Sequence, residues 1–250
     1  MVQLETLADR ESRFIESVLR LKLRLAAFDC DGTLWAPDAG EGFFYWELDH
    51  HLVSDEVERS ARPRYADYRV GKVSEDDMCG EMVSMNQGLS EADLEREAEL
   101  YFEQRVSPQI FPAMQKLVAG LADSGCELWA VSSTNEWVIR AGLRRFAIPQ
   151  DHILAAAVVI ENGRATDRLL RVPSGAAKLK ALESAGVTFF DAAFGNSKWD
   201  RAMLERAAHP FVINPFPDLE RVAAEKGWPV FFPDTGAQRA ASSRADAHAE

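Results

Sequence analysis

The sequence has few cysteines, no excess of positive charge and no long apolar run, and each shortage removes a class of protein. Only three cysteines occur, Cys30, Cys79 and Cys126, far apart and with no C-x-x-C pair. That spacing gives neither a disulfide framework nor a zinc site; it fits reduced, packed thiols in a cytoplasmic chain. Lysine and arginine total 28 against 40 aspartates and glutamates, a formal charge of −12. Nucleic acid and anionic membrane both demand a basic face, so neither is expected as a partner. The longest stretch without Asp, Glu, Lys or Arg runs 11 residues, Ala207 to Pro217, where about 20 are needed to cross a bilayer. No G-x-x-x-x-G-K-[ST] loop is present. Gly40 and Gly42 begin a G-x-G, but Tyr45 stands at the third glycine position and no strand precedes it, so the dinucleotide fingerprint fails. His50 and His51 are adjacent, point to different helix faces and read as solvated or packed side chains.

What remains is an ordinary globular mixture, 47% hydrophobic and 27% charged over 250 residues. This length suits one large domain or a domain with a sizeable insertion, with a core that needs no staple. Five apolar runs read as buried strands of a parallel sheet: Leu23–Phe28, Glu127–Val131, Phe189–Phe194, Pro210–Ile213 and Pro229–Phe232. Helical patterns such as Phe111–Asp123 and Lys198–Ala208 lie between them, so the expected class is α/β with helices on both faces. Ala156 to Arg171, broken by Asn162-Gly163, reads as a hairpin. From about residue 36 to 107 the alternation stops, and four helices are expected: Phe43–Leu52, Asp55–Val70, Glu75–Met85 and Glu91–Gln104. Ser74 with Asp77 and Ser90 with Asp93 have the spacing of helix starts. The division expected is therefore an N-terminal helical extension over 1–22, a core over 23–35 and 108–235, a helical insertion over 36–107 and a disordered tail over 236–250. Leu4 to Leu21 is amphipathic and interrupted by acids, so it is no signal segment; it fits packing on its own core or on a second subunit, and the oligomeric state stays open.

The sharpest signal is AAFDCDGTLW, Ala26 to Trp35. A buried strand runs straight into Asp29, and side chains two apart in an extended segment point the same way, so Asp29 and Asp31 converge. The crevice beyond the carboxyl ends of parallel strands is where α/β folds bind ligands. Two carboxylates there repel unless a cation or a shared proton holds them together. Later in the chain, ELWAVSSTNEW ends a second strand at Ser132, PSGAAKLKAL offers Lys178, and FFDAAFGNSKWDRAML carries Gly195, Asn196 and Asp200.

In this order the four segments resemble motifs I to IV of the haloacid dehalogenase superfamily, and the helical insertion sits where that superfamily has a C1-type cap. The hairpin and the NPFPDLERVAAEKGWP tail look like its phosphoserine-phosphatase-like branch. The resemblance implies a Rossmann-like parallel core with the cap between the first two core strands. It also implies a magnesium-dependent phosphomonoesterase acting on a small phosphorylated metabolite. Asp29 would attack phosphorus and form an aspartyl-phosphate. Asp31 would protonate the leaving oxygen and then activate water, and by resemblance its backbone carbonyl also meets the metal. Ser132, or its neighbour Ser133, would donate to a phosphate oxygen beside Gly32, and Lys178 would neutralise charge there. Lys180 competes with Lys178, but the two cannot face one site from one helix, and Lys178 follows the Gly175 turn more closely. Asn196 departs from the pattern, since the family places Asp there; its amide oxygen can still meet a hard cation, with no charge to contribute. Asp200 would hold the metal, through a bound water, or else Lys178.

Substrate choice is expected to come from APDAGEGFFYWEL, where Asp38 and Glu41 sit among aromatics and would receive an amine: phosphoserine, phosphoethanolamine or phosphocholine. The competing readings are a phosphomutase or other transferase, a dehalogenase of the same superfamily, which would not need Asp31, and a catalytically silent phosphate-binding protein.

Overall fold

The computed structural model describes residues 6–235; the expected disordered tail and the first five residues lie outside them. Seven strands form one sheet: β1 (Leu25–Phe28), β2 (Glu127–Asn135), β3 (Ile153–Glu161), β4 (Arg164–Arg171), β5 (Ala192–Gly195), β6 (His209–Ile213) and β7 (Val230–Phe231). Their order is β4-β3-β2-β1-β5-β6-β7, parallel throughout except for the β3–β4 hairpin. The fold is thus the expected α/β, Rossmann-like arrangement. Its central strand β1 is short and wholly apolar because both sheet faces are covered. The hairpin turns at Asn162 and Gly163, both with positive φ (51° and 72°), the geometry Asn-Gly favours.

The first helix, α1 (Leu7–Leu19), opens on a capping box in which Thr6 and Asp9 satisfy each other's backbone donors. Four helices follow β1 in sequence: α2 (Ala39–Asp49), α3 (Asp55–Arg69), α4 (Glu75–Ser84) and α5 (Glu91–Tyr101). Serines at positions 54 and 74 cap α3 and α4 by accepting from Val57 and Asp77 backbone N–H groups. These helices bury a small core of their own, with Phe44, Leu48, Val53, Tyr65, Val73 and Met78. The main core lies on the sheet faces, under α6 (Pro112–Asp123) and α7 (Glu136–Leu143) on one side. On the other side lie α8 (Ala177–Ser184), α9 (Arg201–Arg206) and α10 (Pro217–Lys226).

Several boundaries differ from the sequence expectation, for identifiable reasons. Helix α2 begins at Ala39 rather than Phe43 because Asp38 accepts the Glu41 N–H at 2.7 Å and caps it four residues early. Strand β2 runs past Ser132 to Asn135, with a register irregularity against β3 after Val131. The expected Lys198–Ala208 helix is a 3-10 turn over Lys198–Asp200 followed by α9, since Ser197 and Asp200 form a capping box at its start. Helix α5 gives way to a π turn over Phe102–Val106 before reaching Gln104.

Candidate active site

Asp29 follows β1 directly, and its N–H donates to the Phe194 carbonyl of β5 at 2.9 Å, so the sheet itself fixes its backbone. The chain then turns at once: Thr33 and Leu34 N–H groups both donate to the Cys30 carbonyl, and Gly32 adopts φ +71°. That conformation favours glycine, and space demands it too, because an ideal Cβ on Gly32 would lie 1.8 Å from Asn196 Nδ2. The turn and the ends of the flanking strands β2 and β5 open onto one cavity of about 570 Å³.

Every site residue expected from the sequence except Asp200 lines that cavity: Asp29, Asp31, Gly32, Asp38, Glu41, Ser132, Ser133, Lys178 and Asn196. Of the two competing lysines, Lys178 is 2% exposed while Lys180 faces solvent. Lys178 Nζ donates to Asp29 Oδ1 at 2.7 Å and to Asp200 Oδ1 at 2.5 Å. Thr33 Oγ1 holds the other Asp29 oxygen at 2.9 Å. Ser132 is buried and accepts the Thr134 N–H, whereas Ser133 is half-exposed.

Asp200 takes up Lys178, one of the two roles expected of it. It is fully buried; Oδ1 is on Lys178, and Oδ2 accepts from Asn196 N, Ser197 N and Ser197 Oγ at 2.9, 2.9 and 3.2 Å. So placed, the carboxylate positions Lys178 and the loop that carries Asn196. The Asn196 side chain lies against Gly32 and makes no hydrogen bond to a described residue.

Asp31 has its own set of partners, turned toward the helical insertion. Oδ1 accepts from Trp35 Nε1 at 2.5 Å and Ala39 N at 3.1 Å, and Oδ2 accepts from Thr134 Oγ1 at 2.6 Å. Sequence reasoning missed Thr33, Trp35 and Thr134, whose side chains orient the two aspartates. Nothing in their residue type announced it; only the four-residue spacing from Asp29 to Thr33 and from Asp31 to Trp35 was there to be read.

Electrostatics separate the two aspartates. Burial pushes the Asp29 carboxyl up to about 6, with the Asp200 charge adding to the rise and Lys178 opposing it. Burial likewise lifts Asp31 to about 7, with Asp38 adding and the Thr134 hydroxyl opposing. Burial disfavours the Lys178 charge, but Asp200 and Asp29 outweigh it and hold the proton above the ordinary lysine range. Both carboxyls are thus held above the ordinary carboxylate range, Asp29 beside a permanent cation and Asp31 among neutral donors.

The far wall of the cavity comes from α2, α3 and α4: Asp38, Glu41, Tyr65, Tyr68, Glu75, Met78, Cys79 and Met82 line it. Asp38 is open to the cavity, and desolvation by the surrounding protein raises its carboxyl, Glu41 and Glu75 adding to the effect.

Among the described residues no three His, Cys, Asp or Glu side chains are grouped to hold a metal ion, and no helix is long and apolar enough to cross a membrane. Comparison with known proteins gives a consistent family. The profile of haloacid dehalogenase-like hydrolases matches residues 26–205. A histidinol-phosphatase of Neisseria meningitidis serogroup C is 28% identical over 220 residues, covering 82% of this chain and 97% of that protein. A protein of unknown function from Bordetella pertussis Tohama I has a similar structure, with a TM-score of 0.74 at 23% identity, over 83% of this chain and 97% of that one. A substrate-bound phosphoserine phosphatase reaches 0.56 at 16% identity, over 88% and 97%. At these identities the two structures speak for the fold.

Proposed function

The chain belongs to the haloacid dehalogenase-like hydrolases, and from that premise we propose that it is a magnesium-dependent phosphomonoesterase of small amine-bearing metabolites. We take 36–107 as its cap and 23–35 with 108–235 as its core. One observation carries the reading: Asp29 sits at the end of the central strand with Lys178 Nζ 2.7 Å from its carboxylate, and Asp31 stands two residues on with separate partners.

In this reading Asp29 attacks phosphorus, its carboxylate held in line by Lys178 and Thr33. Lys178 faces the non-bridging oxygens, where negative charge is greatest, and Ser132 donates to one of them. Asp31 gives its proton to the leaving oxygen, then takes one from the water that opens the aspartyl-phosphate. Trp35, Ala39 and Thr134 fix the direction of that carboxyl. The residues present fit magnesium, since Asp29, the Asp31 carbonyl and the Asn196 amide each offer an oxygen, and the Asn196 side chain makes no hydrogen bond to a described residue. The ion would offset the repulsion between the nucleophile and a phosphate dianion.

The amine preference rests on the acidic, aromatic far wall, and the sequence relative named histidinol-phosphatase adds histidinol phosphate to the candidates. The test is phosphate release from phosphoserine, phosphoethanolamine, phosphocholine, histidinol phosphate and an aryl phosphate, with and without magnesium. Magnesium-dependent release that Asp29→Asn abolishes is the expected result. The second reading, a silent phosphate binder, is favoured by Asn196 alone; binding of phosphate analogues with no release from any ester would establish it instead.

A further inference from the structure

Resting on that reading of the cavity, we infer that Glu75 is a specificity-determining residue: it receives the cationic nitrogen of the leaving group and turns away esters whose leaving group carries a carboxylate. Three carboxylates line the cap side of the cavity, and they are not equivalent. Glu41 is paired with Arg69 at 3.1 Å. Asp38 spends Oδ1 on the start of α2. Glu75 has no cation within 4.0 Å among the described residues; its partners are the Tyr68 hydroxyl, donating to Oε2 at 2.5 Å, and the weak Cys79 Sγ donor at 3.7 Å on Oε1. A half-buried carboxylate held in one orientation by a tyrosine, with its charge unmatched, is poised to take a cation.

The surroundings say which kind. The Tyr65 and Tyr68 rings line the same wall and suit an ammonium or a flat cation. Met78 and Met82 supply apolar contact for the connecting carbons. Neither lysine nor arginine lines the cap wall; the cavity's two lysines are Lys178, held by Asp29 and Asp200, and Lys198 on the opposite rim. A carboxylate on the leaving group would therefore face Asp38 and Glu75, with Arg69 behind the wall already engaged by Glu41. The substrate class assigned is the phosphate monoester of an amino alcohol with a cationic nitrogen and no carboxylate, which removes phosphoserine from the candidates.

The experiment reads selectivity ratios. Dissociation constants for phosphoethanolamine, propyl phosphate and phosphoserine are measured by calorimetry on the Asp29→Asn chain, so that binding is read without turnover, with kcat/KM taken on the chain with Asp29 intact. Phosphoethanolamine is expected to outrank propyl phosphate by roughly tenfold or more, and phosphoserine to rank last. Glu75→Gln should collapse the first ratio by about tenfold and narrow the gap to phosphoserine. Tyr68→Phe, which frees the carboxylate without removing it, should move both ratios the same way by less. Parallel losses on all three esters, or ratios that stay where they were, overturn the inference. Failure of the phosphatase reading looks different: aryl phosphate would go unhydrolysed while the binding ratios still shifted with Glu75.

Discussion

Asn196 is where this chain departs most from the pattern it otherwise matches, and the structure sharpens what that costs. Asp200 is held by Lys178, two backbone N–H groups and a serine hydroxyl, and it does not line the cavity. The motif carboxylates that line the cavity are therefore Asp29 and Asp31. Restoring a carboxylate at 196 should lower the magnesium concentration needed for half-maximal phosphate release by about tenfold, a single charge added to a partly dehydrated site. It should also increase the thermal shift that magnesium causes in the absence of substrate, a readout that needs no activity. An Asn196→Asp chain with the same magnesium response in both assays would remove Asn196 from the ion's surroundings. At this scale the sequence was legible where a charged residue stood at an apolar strand end, as with Asp29 and Asp31, or just after a glycine turn, as with Lys178. The hydroxyls and indole that orient them were not, because Thr33, Trp35 and Thr134 are common core and turn residues until the fold sets them against a carboxylate.

Among the elements, α2 shows both how far pattern reading reaches and where it stops. Apolar spacing found its body but not its start, because the N-cap is a single hydrogen bond, donated by the Glu41 N–H to Asp38, and leaves no periodic trace. Nor did the pattern mark Glu47, which α2 buries to 1% exposure. Among the described residues its Oε1 has no hydrogen-bond partner, and neither has the buried Asn86 Oδ1. Burial pushes the Glu47 carboxyl well above its ordinary 4.5, with the Asn86 side chain pulling the other way. The folded state thus keeps a proton that the unfolded chain loses above about pH 4.5. Such a group contributes its full stability below the unfolded pKa and loses it as pH rises toward the folded one, so Glu47 steadily weakens the fold across that window. Glu47→Gln, which keeps the shape and cannot ionise, should unfold at a higher temperature than the parent at pH 8. The gap should close as the pH is lowered to 4.5. A gap that is constant with pH would mean that Glu47 does not titrate across folding.

At the scale of the whole molecule, the question the amphipathic N-terminus left open was whether its apolar face meets this chain or another. The structure turns that face inward. Phe14 stacks on Phe231 of β7, with ring centroids 4.1 Å apart and planes 9° from parallel, and meets Phe211 of β6 edge-on at 6.0 Å. Val18 is fully buried, and Leu19 lies over Gly120 of α6, where an added Cβ would come within 3.1 Å of it. Helix α1 therefore clasps the sheet's far edge, joining the first helix of the described chain to its last strand. Such a contact was not readable beforehand, since a stripe of apolar residues fixes a face and not its partner. Phe14 is half-buried, so Phe14→Ala should cost about 2 kcal/mol, less than the roughly 3–5 kcal/mol of a fully buried aromatic, or roughly 4–8 °C in a chain of this size. Because the contact is intramolecular, that loss should not vary with protein concentration over a hundredfold range. A stability deficit that shrinks as the protein is concentrated is the signature of a helix shared between subunits, since only association is driven by mass action. Thermal unfolding of both chains at two concentrations decides between a clasp within the molecule and an interface between two.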